Sequence, residues 1–302
     1  MRHAFAVFGL ACALVAAVGA PLEAQRYPLA PRVSFGESMH PFFEGWYELE
    51  DGSKVFSFGY FNRNLGDNVV NIPRGDRNYI EPAEFDGMQP EWFPVRRDRG
   101  VFVIKAPPDW PVDRDVIWTF ESQGEMYSVP ASVRTDAMQL STGPAAMGSQ
   151  RPFLKMDEDG EEGFGITDPV WAQPRRARVG EPLSIMIWAR DQMVPSAARE
   201  ELVPVQAVMW VHQGPANATI VAEQQGDQSD LEDAGPGGEA PRPNVVTIPL
   251  ESADGSAEFN VTFSQPGTYL LRVMVENHRA IDSSQGDQCC WTNGYVEVIV
   301  SQ

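Results

Sequence analysis

Two adjacent cysteines, Cys289 and Cys290, are the side chains in this sequence best suited to covalent or metal chemistry. Adjacent α-carbons lie about 3.8 Å apart across a trans peptide, below the usual disulfide span of about 4.4–6.8 Å, so a bond between them closes a strained and easily reduced ring. Four readings stay open. They are a vicinal disulfide stiffening the loop before the last strand, free and partly buried thiols, intermolecular disulfides, or a soft-metal site for Cu(I) or Zn with His278 nearby in sequence. The spacing fits no zinc pattern, whose ligands are more widely separated. A second cluster, Asp157-Glu158-Asp159-Gly160-Glu161-Glu162, opens like a calcium loop. Asp157, Asp159 and Glu161 would be its ligands for a hard cation that takes about six to eight oxygens. The further regular spacing of such loops is missing, and an acidic run is ordinarily a solvated face.

A third candidate is aromatic. Phe56, Phe58 and Tyr60 alternate on one face of a strand, which makes them either sandwich core or a platform for stacking sugars. A glycan-binding platform would draw on Trp46, Tyr60 and Trp92, with Asn62, Arg63 and Asn64 supplying polar contacts. Hydrolytic chemistry is poorly provided for. Outside the N-terminal leader the histidines are His40, His212 and His278, and no His-Glu-x-x-His or Gly-x-Ser-x-Gly pattern, dinucleotide fingerprint or phosphate loop is present. His40 and Glu44 have the types for acid–base work, although packing or capping is the commoner role for such a pair. Arg74-Gly75-Asp76, a tripeptide that some adhesion ligands use, follows Pro73 and reads as a turn.

The elements that must position these residues read as strands. Val55, Ser57, Gly59 and Phe61 face opposite to Phe56, Phe58 and Tyr60, the period-two pattern of a strand over 54–62. Glu50-Asp51-Gly52-Ser53 before it is a hairpin turn joining it to a strand over 42–49. Further strands are expected at 69–72, 100–105, 116–122 and 126–133, and then at 183–189, 205–212, 245–250, 257–263, 268–275 and 295–300. Short strands separated by turn signals, with 25 Pro and 26 Gly in 302 residues, argue for an all-β fold rather than α/β units.

The expected organisation begins with a secretory signal peptide over 1–24, with basic Arg2 and His3, an apolar run from Ala4 to Ala20 and a cut before Gln25. An N-terminal arm (25–38) follows. The aromatic-rich β domain spans 39–136, an acidic and small-residue linker 137–164, and a second β-sandwich 165–302, with a polar loop at 223–243 that is too poor in apolar side chains to offset its ordering entropy. The leader implies export to the periplasm or the extracellular space. No second apolar stretch approaches membrane-spanning length. With 42 Asp and Glu against 23 Lys and Arg, the net charge of -19 repels nucleic-acid phosphates, so no nucleic-acid partner is expected.

The stretch Phe263-Ser264-Gln265-Pro266-Gly267-Thr268-Tyr269-Leu270-Leu271-Arg272-Val273, with Gly294–Val300 as a last strand, resembles immunoglobulin-like modules of the polycystic-kidney-disease or cadherin kind. The resemblance covers roughly 165–302 and implies a sandwich in which the Tyr269 hydroxyl bonds nearby backbone at a corner. Phe43-Glu44-Gly45-Trp46-Tyr47, Gly59-Tyr60-Phe61-Asn62-Arg63-Asn64 and Cys289-Cys290-Trp291-Thr292-Asn293 are similar to a family of uncharacterised bacterial exported proteins. That likeness implies context and no mechanism. Together these features point to two β-sandwich domains serving an exported, non-catalytic structural or binding role at the cell envelope through protein or glycan contacts. The alternative is a carbohydrate-active or metal-dependent enzyme with a site assembled from scattered residues.

Overall fold

The computed structural model describes residues 36–64, 68–141, 150–191, 205–222, 245–248, 255–277 and 291–302. The expected leader, most of the N-terminal arm, the loop 223–243, His278 and the Cys289-Cys290 pair lie outside the described residues. The Asp51-Gly52 turn forms as its residues dictate. Leu49 N–H donates to Ser53 O at 3.0 Å and Ser53 N–H to Asp51 Oδ1 at 2.9 Å. Gly52 takes φ +81°, a conformation that a Cβ would strain. This turn joins β1 (Met39–Glu48) to β2 (Lys54–Asn62).

The remaining strands of the first half are β3 (Val70–Asn71), β4 (Asn78–Glu81), β5 (Trp92–Phe93), β6 (Arg96–Ala106), β7 (Val116–Ser122) and β8 (Glu125–Ala131). They form two three-stranded antiparallel sheets, β1-β2-β6 and β4-β7-β8, with β3 and β5 as a short ribbon. Phe56, Phe58 and Tyr60 fill the space between the sheets together with Phe102, Trp118 and Phe120. Phe58 stacks on Phe102 at 5.2 Å, and Trp118 meets Phe102 edge-on at 5.0 Å. Such pairs add about 0.5–1.5 kcal/mol each beyond their buried area.

The second half contains β9 (Phe153–Lys155), β10 (Gly163–Phe164), β11 (Val170–Trp171), β12 (Arg175–Arg178), β13 (Pro182–Arg190), β14 (Val205–Gln213), β15 (Ala218–Ala222), β16 (Val245–Ile248), β17 (Gly255–Phe263), β18 (Gly267–Asn277) and β19 (Trp291–Ser301). One sheet has the order β10-β9-β13-β17-β15 and the other β11-β19-β18-β14-β16, with β12 running parallel to β19. Side chains such as Ile187, Phe259, Leu271 and Val298 close the core between them. The partition of β13, β17 and β15 against β14, β18 and β19 is that of the B, E, D and C, F, G strands of an immunoglobulin sandwich. The Tyr269 hydroxyl donates to Gln265 O at 3.0 Å, the corner bond expected of that fold. Gly214, at φ +147°, leaves room for the Tyr269 ring, which a Cβ there would meet at 2.5 Å.

Two features differ from the sequence reading. The stretch 137–164 was expected as a linker, yet β9 pairs with β13, and Leu154 and Met156 enter the second core. Strands of two or three residues are too short to carry a periodic signal. In addition, β2 is buried on both faces rather than one. Its outward Val55 joins Tyr47, Ile166, Met274 and Trp291 in a third apolar cluster that bridges the halves. Four sheets are thus stacked, and residues 34–302 form a single compact unit.

Replacing Tyr269 by Phe removes the corner hydrogen bond and leaves the buried ring in place. Urea unfolding should show a loss of about 0.5–1.5 kcal/mol with an unchanged far-ultraviolet circular dichroism spectrum. An unchanged midpoint would deny the corner its structural role.

Candidate functional site

The outer face of the β14-β18-β19 sheet meets the outer face of β1-β2-β6 and the loop before β5, and the contact is unusually polar. Arg272 on β18 is 2 % exposed. Its Nη1 donates to Asp98 Oδ2 at 2.8 Å and its Nε to Asn293 Oδ1 at 3.2 Å. Asn293 Nδ2 donates to Gly100 O at 2.6 Å, and the Tyr295 hydroxyl to Val101 O at 2.7 Å. Burial, with Asp98 adding to it and Arg272 opposing it, pushes the Tyr295 phenol up to about 12. At the end of β14, His212 Nε2–H donates to Met88 O at 2.8 Å. The next residue, Gln213, donates through Nε2 to Gly87 O and Gln89 O at 2.7 and 2.9 Å. The loop 87–91 is thereby held by side chains from the second sandwich, and Glu91 N–H returns a bond to His212 O at 2.7 Å.

Beside this seam lies an open groove of about 600 Å³. Asn71, Arg74 and Glu91 line it from the first half, and Trp171, Thr268 and Glu297 from the second. Glu91 is committed to the structure. Its Oε1 accepts from Arg74 Nε at 3.1 Å and its Oε2 from Gly214 N–H at 2.9 Å. Trp171 is 52 % exposed and lies on Tyr295 with ring centroids 5.1 Å apart. Glu297 is exposed on β19, opposite Leu270 of β18.

The residues singled out in the sequence are placed differently. The glycan platform expected from Trp46, Tyr60, Asn62 and Asn64 does not face solvent, because all four are buried. Trp46 Nε1 donates to Thr135 O at 3.3 Å. Asn62 donates to Phe93 O at 2.9 Å and accepts from Asn64 Nδ2 at 2.8 Å, a staple that holds the end of β2. Trp92 is half-buried, with Nε1 bonded to Gly214 O at 3.0 Å. Arg63 alone of the set is exposed, beside Glu37 at 3.3 Å.

The expected calcium ligands do not gather either. Asp157 pairs with Arg175 and accepts from Gln173 N–H at 2.7 Å. Among the described residues no group of three or more His, Cys, Asp or Glu could hold a metal ion. His40 and Glu44 go to separate partners. His40 lies by Ser38 and against the Tyr127 ring, whereas Glu44 sits in a bulge of β1 and accepts from Arg97 at 2.6 Å. Burial pushes the Glu44 carboxyl up to about 7, against the pull of Arg97 and Arg99. The turn over Arg74-Gly75-Asp76 forms, with the Arg74 side chain tied to Glu91 and Gly87 O. The seam and groove escaped sequence reading because bonded members are separated by up to 194 residues, as Val101 and Tyr295 are.

No protein-family model matches the chain, and no curated protein matches it in sequence. Among solved structures it is similar to domains 4 and 5 of the S-layer protein SbsC, at 7 % identity and TM-score 0.25, over 74 % of this chain and 75 % of that one. It is similar to the D00-D0 domain of intimin at 11 % identity and TM-score 0.26, over 87 % and 100 %. CfaE, the adhesive subunit of CFA/I fimbria of enterotoxigenic Escherichia coli, matches at 8 % identity and TM-score 0.24, over 88 % of each chain. Scores this low carry no argument about shared fold or role.

The seam has a pH signature. Burial lowers the His212 imidazole to about 3, with the Met88 bond partly opposing. An unfolded histidine binds its proton near 6.5, so between these values only the unfolded chain is protonated, and stability falls as pH drops from 6.5 toward 3. Glu44 acts in the opposite sense, since its folded carboxyl holds a proton that the unfolded one releases, and its contribution falls as pH rises from about 4.5 to 7. In urea titrations across this range, His212→Gln should recover roughly 3–5 kcal/mol of the acid loss by pH 3. A variant with the wild-type acid dependence would contradict a neutral His212 at the seam.

Proposed function

We propose that the protein is an exported, non-catalytic structural or binding component of the bacterial cell envelope, working in the periplasm or outside the cell through protein or glycan contacts. The observation that carries this reading is the use made of the reactive groups. Of the titratable side chains displaced furthest from their ordinary behaviour, Tyr60, His212 and Tyr295 are buried in packing or seam contacts, and Glu44, half-buried, is paired with Arg97 at 2.6 Å. Perturbed groups of this kind point to catalysis when they face a cleft; the first three face the interior, and Glu44 lies outside the groove. Of the two carboxylates lining the groove, Glu91 has both oxygens engaged with Arg74 and Gly214. Paired acid–base hydrolysis of glycosides requires two available carboxyl groups across the scissile bond.

The charge of -19 supports the same reading, since it disfavours anionic polymers as partners. No helix among the described residues is long and apolar enough to cross a membrane. The signal peptide expected over 1–24 from the sequence supports export.

Incubating the labelled protein with envelope fractions of a bacterium that produces it, followed by crosslinking, should give saturable retention. Glycoside, peptide and ester substrates in the same preparations should remain intact. Turnover that disappears in Glu297→Gln or Glu44→Gln would overturn the reading, and so would failure to be retained by any fraction.

A further inference from the structure

The groove beside the seam supports a narrower statement, which rests on the binding role proposed above: the geometry points to it as a site for a neutral saccharide chain. Trp171 supplies the principal contact. At 52 % exposure the indole is more open to solvent than the Tyr295 and Trp291 rings of the seam, which are buried. It is also held in place, because it lies on Tyr295, and Tyr295 is anchored through its hydroxyl to Val101 O at 2.7 Å. A fixed, flat apolar surface with polar groups at its margin matches a pyranose ring, which offers a C–H face for stacking and equatorial hydroxyls for hydrogen bonding. The margin is provided by Asn71, Thr268 and Glu297. Asn71 is already oriented, its Nδ2 donating to Glu91 O at 3.0 Å.

Two further observations select the ligand class. Arg74, the one cation among the described residues lining the groove, is neutralised by Glu91 at 3.1 Å. Within a chain of net charge -19 this leaves no positive field to draw in a sulfated or uronic polymer. The floor is a sheet face, where Leu270 and Glu297 are partners in the β18-β19 ladder. Its backbone groups are already paired, so a peptide cannot add there as a strand, and recognition must pass through side chains. The groove is open to solvent, so a saccharide ring seated on Trp171 can continue into a chain.

The test is a calorimetric titration of the full chain with neutral hexasaccharides of glucose (α-1,4 and β-1,4 linked), mannose and N-acetylglucosamine, alongside a uronic-acid hexasaccharide. Wild type should bind at least one neutral hexasaccharide with saturation. Trp171→Ala should weaken binding at least tenfold, whereas Phe164→Ala, which removes an equally exposed aromatic outside the groove, should leave it unchanged. Equal thermal midpoints for the three proteins exclude misfolding as the cause. The inference is overturned if no neutral hexasaccharide binds at millimolar concentration, if Trp171→Ala binds like wild type, or if only the uronic chain binds. The two levels fail separately. New reducing ends during titration would overturn the non-catalytic reading and leave the saccharide site standing. Retention on envelope fractions that Trp171→Ala does not change, without binding of any hexasaccharide, would do the reverse.

Discussion

A guanidinium buried on the outer face of a sheet is the constraint from which the architecture follows. Taking Arg272 out of water costs several kcal/mol unless a countercharge and hydrogen bonds replace the solvent. Asn293 comes from the same sandwich, but the countercharge, Asp98, comes from β6 of the other half. The pair therefore adds little as a net attraction and much as a registration device: any other docking of the two faces leaves a buried charge uncompensated. The apolar cluster of Tyr47, Val55, Ile166, Met274 and Trp291 supplies the area of the contact, and the ion pair supplies its alignment.

Fixing the seam also fixes the groove. Its walls belong to different halves, yet Gly214 N–H reaches Glu91 and Trp92 Nε1 reaches Gly214 O, so the walls are joined at the bottom. Trp171 and Tyr295 then form one stack in which the inner ring is buried and the outer ring faces solvent. A site assembled in this way needs little ordering when a ligand arrives, which favours binding over a conformational response.

The parts of the molecule legible in the sequence are those set by local rules. The alternation over 54–62 and 116–122 matches β2 and β7 end for end. The Asp51-Gly52 turn and the Tyr269 corner follow from turn chemistry that a few residues contain. What was not legible depends on partners distant in the chain. The core reading of Tyr60 was legible from its strand face, but Asn62 and Asn64 could equally have lined a surface platform, because nothing nearby in sequence records that Phe93 lies over Tyr60 and offers its carbonyl to Asn62. The strand at Phe153–Lys155 sits just ahead of an acidic run and is too short for periodicity, so its place beside β13 was hidden. Groove residues at 71, 171 and 297 share no motif at all.

The central claim, that the two sandwiches behave as one body, is tested most directly by native-state hydrogen exchange read out by mass spectrometry across low concentrations of denaturant. If the seam welds the halves, the most protected amides of β2 and β18 exchange through the same global opening, with free energies that agree within about 0.5 kcal/mol and fall together as denaturant is added. Opening energies separated by about 2 kcal/mol or more, with one sandwich exchanging while the other stays closed, would contradict it.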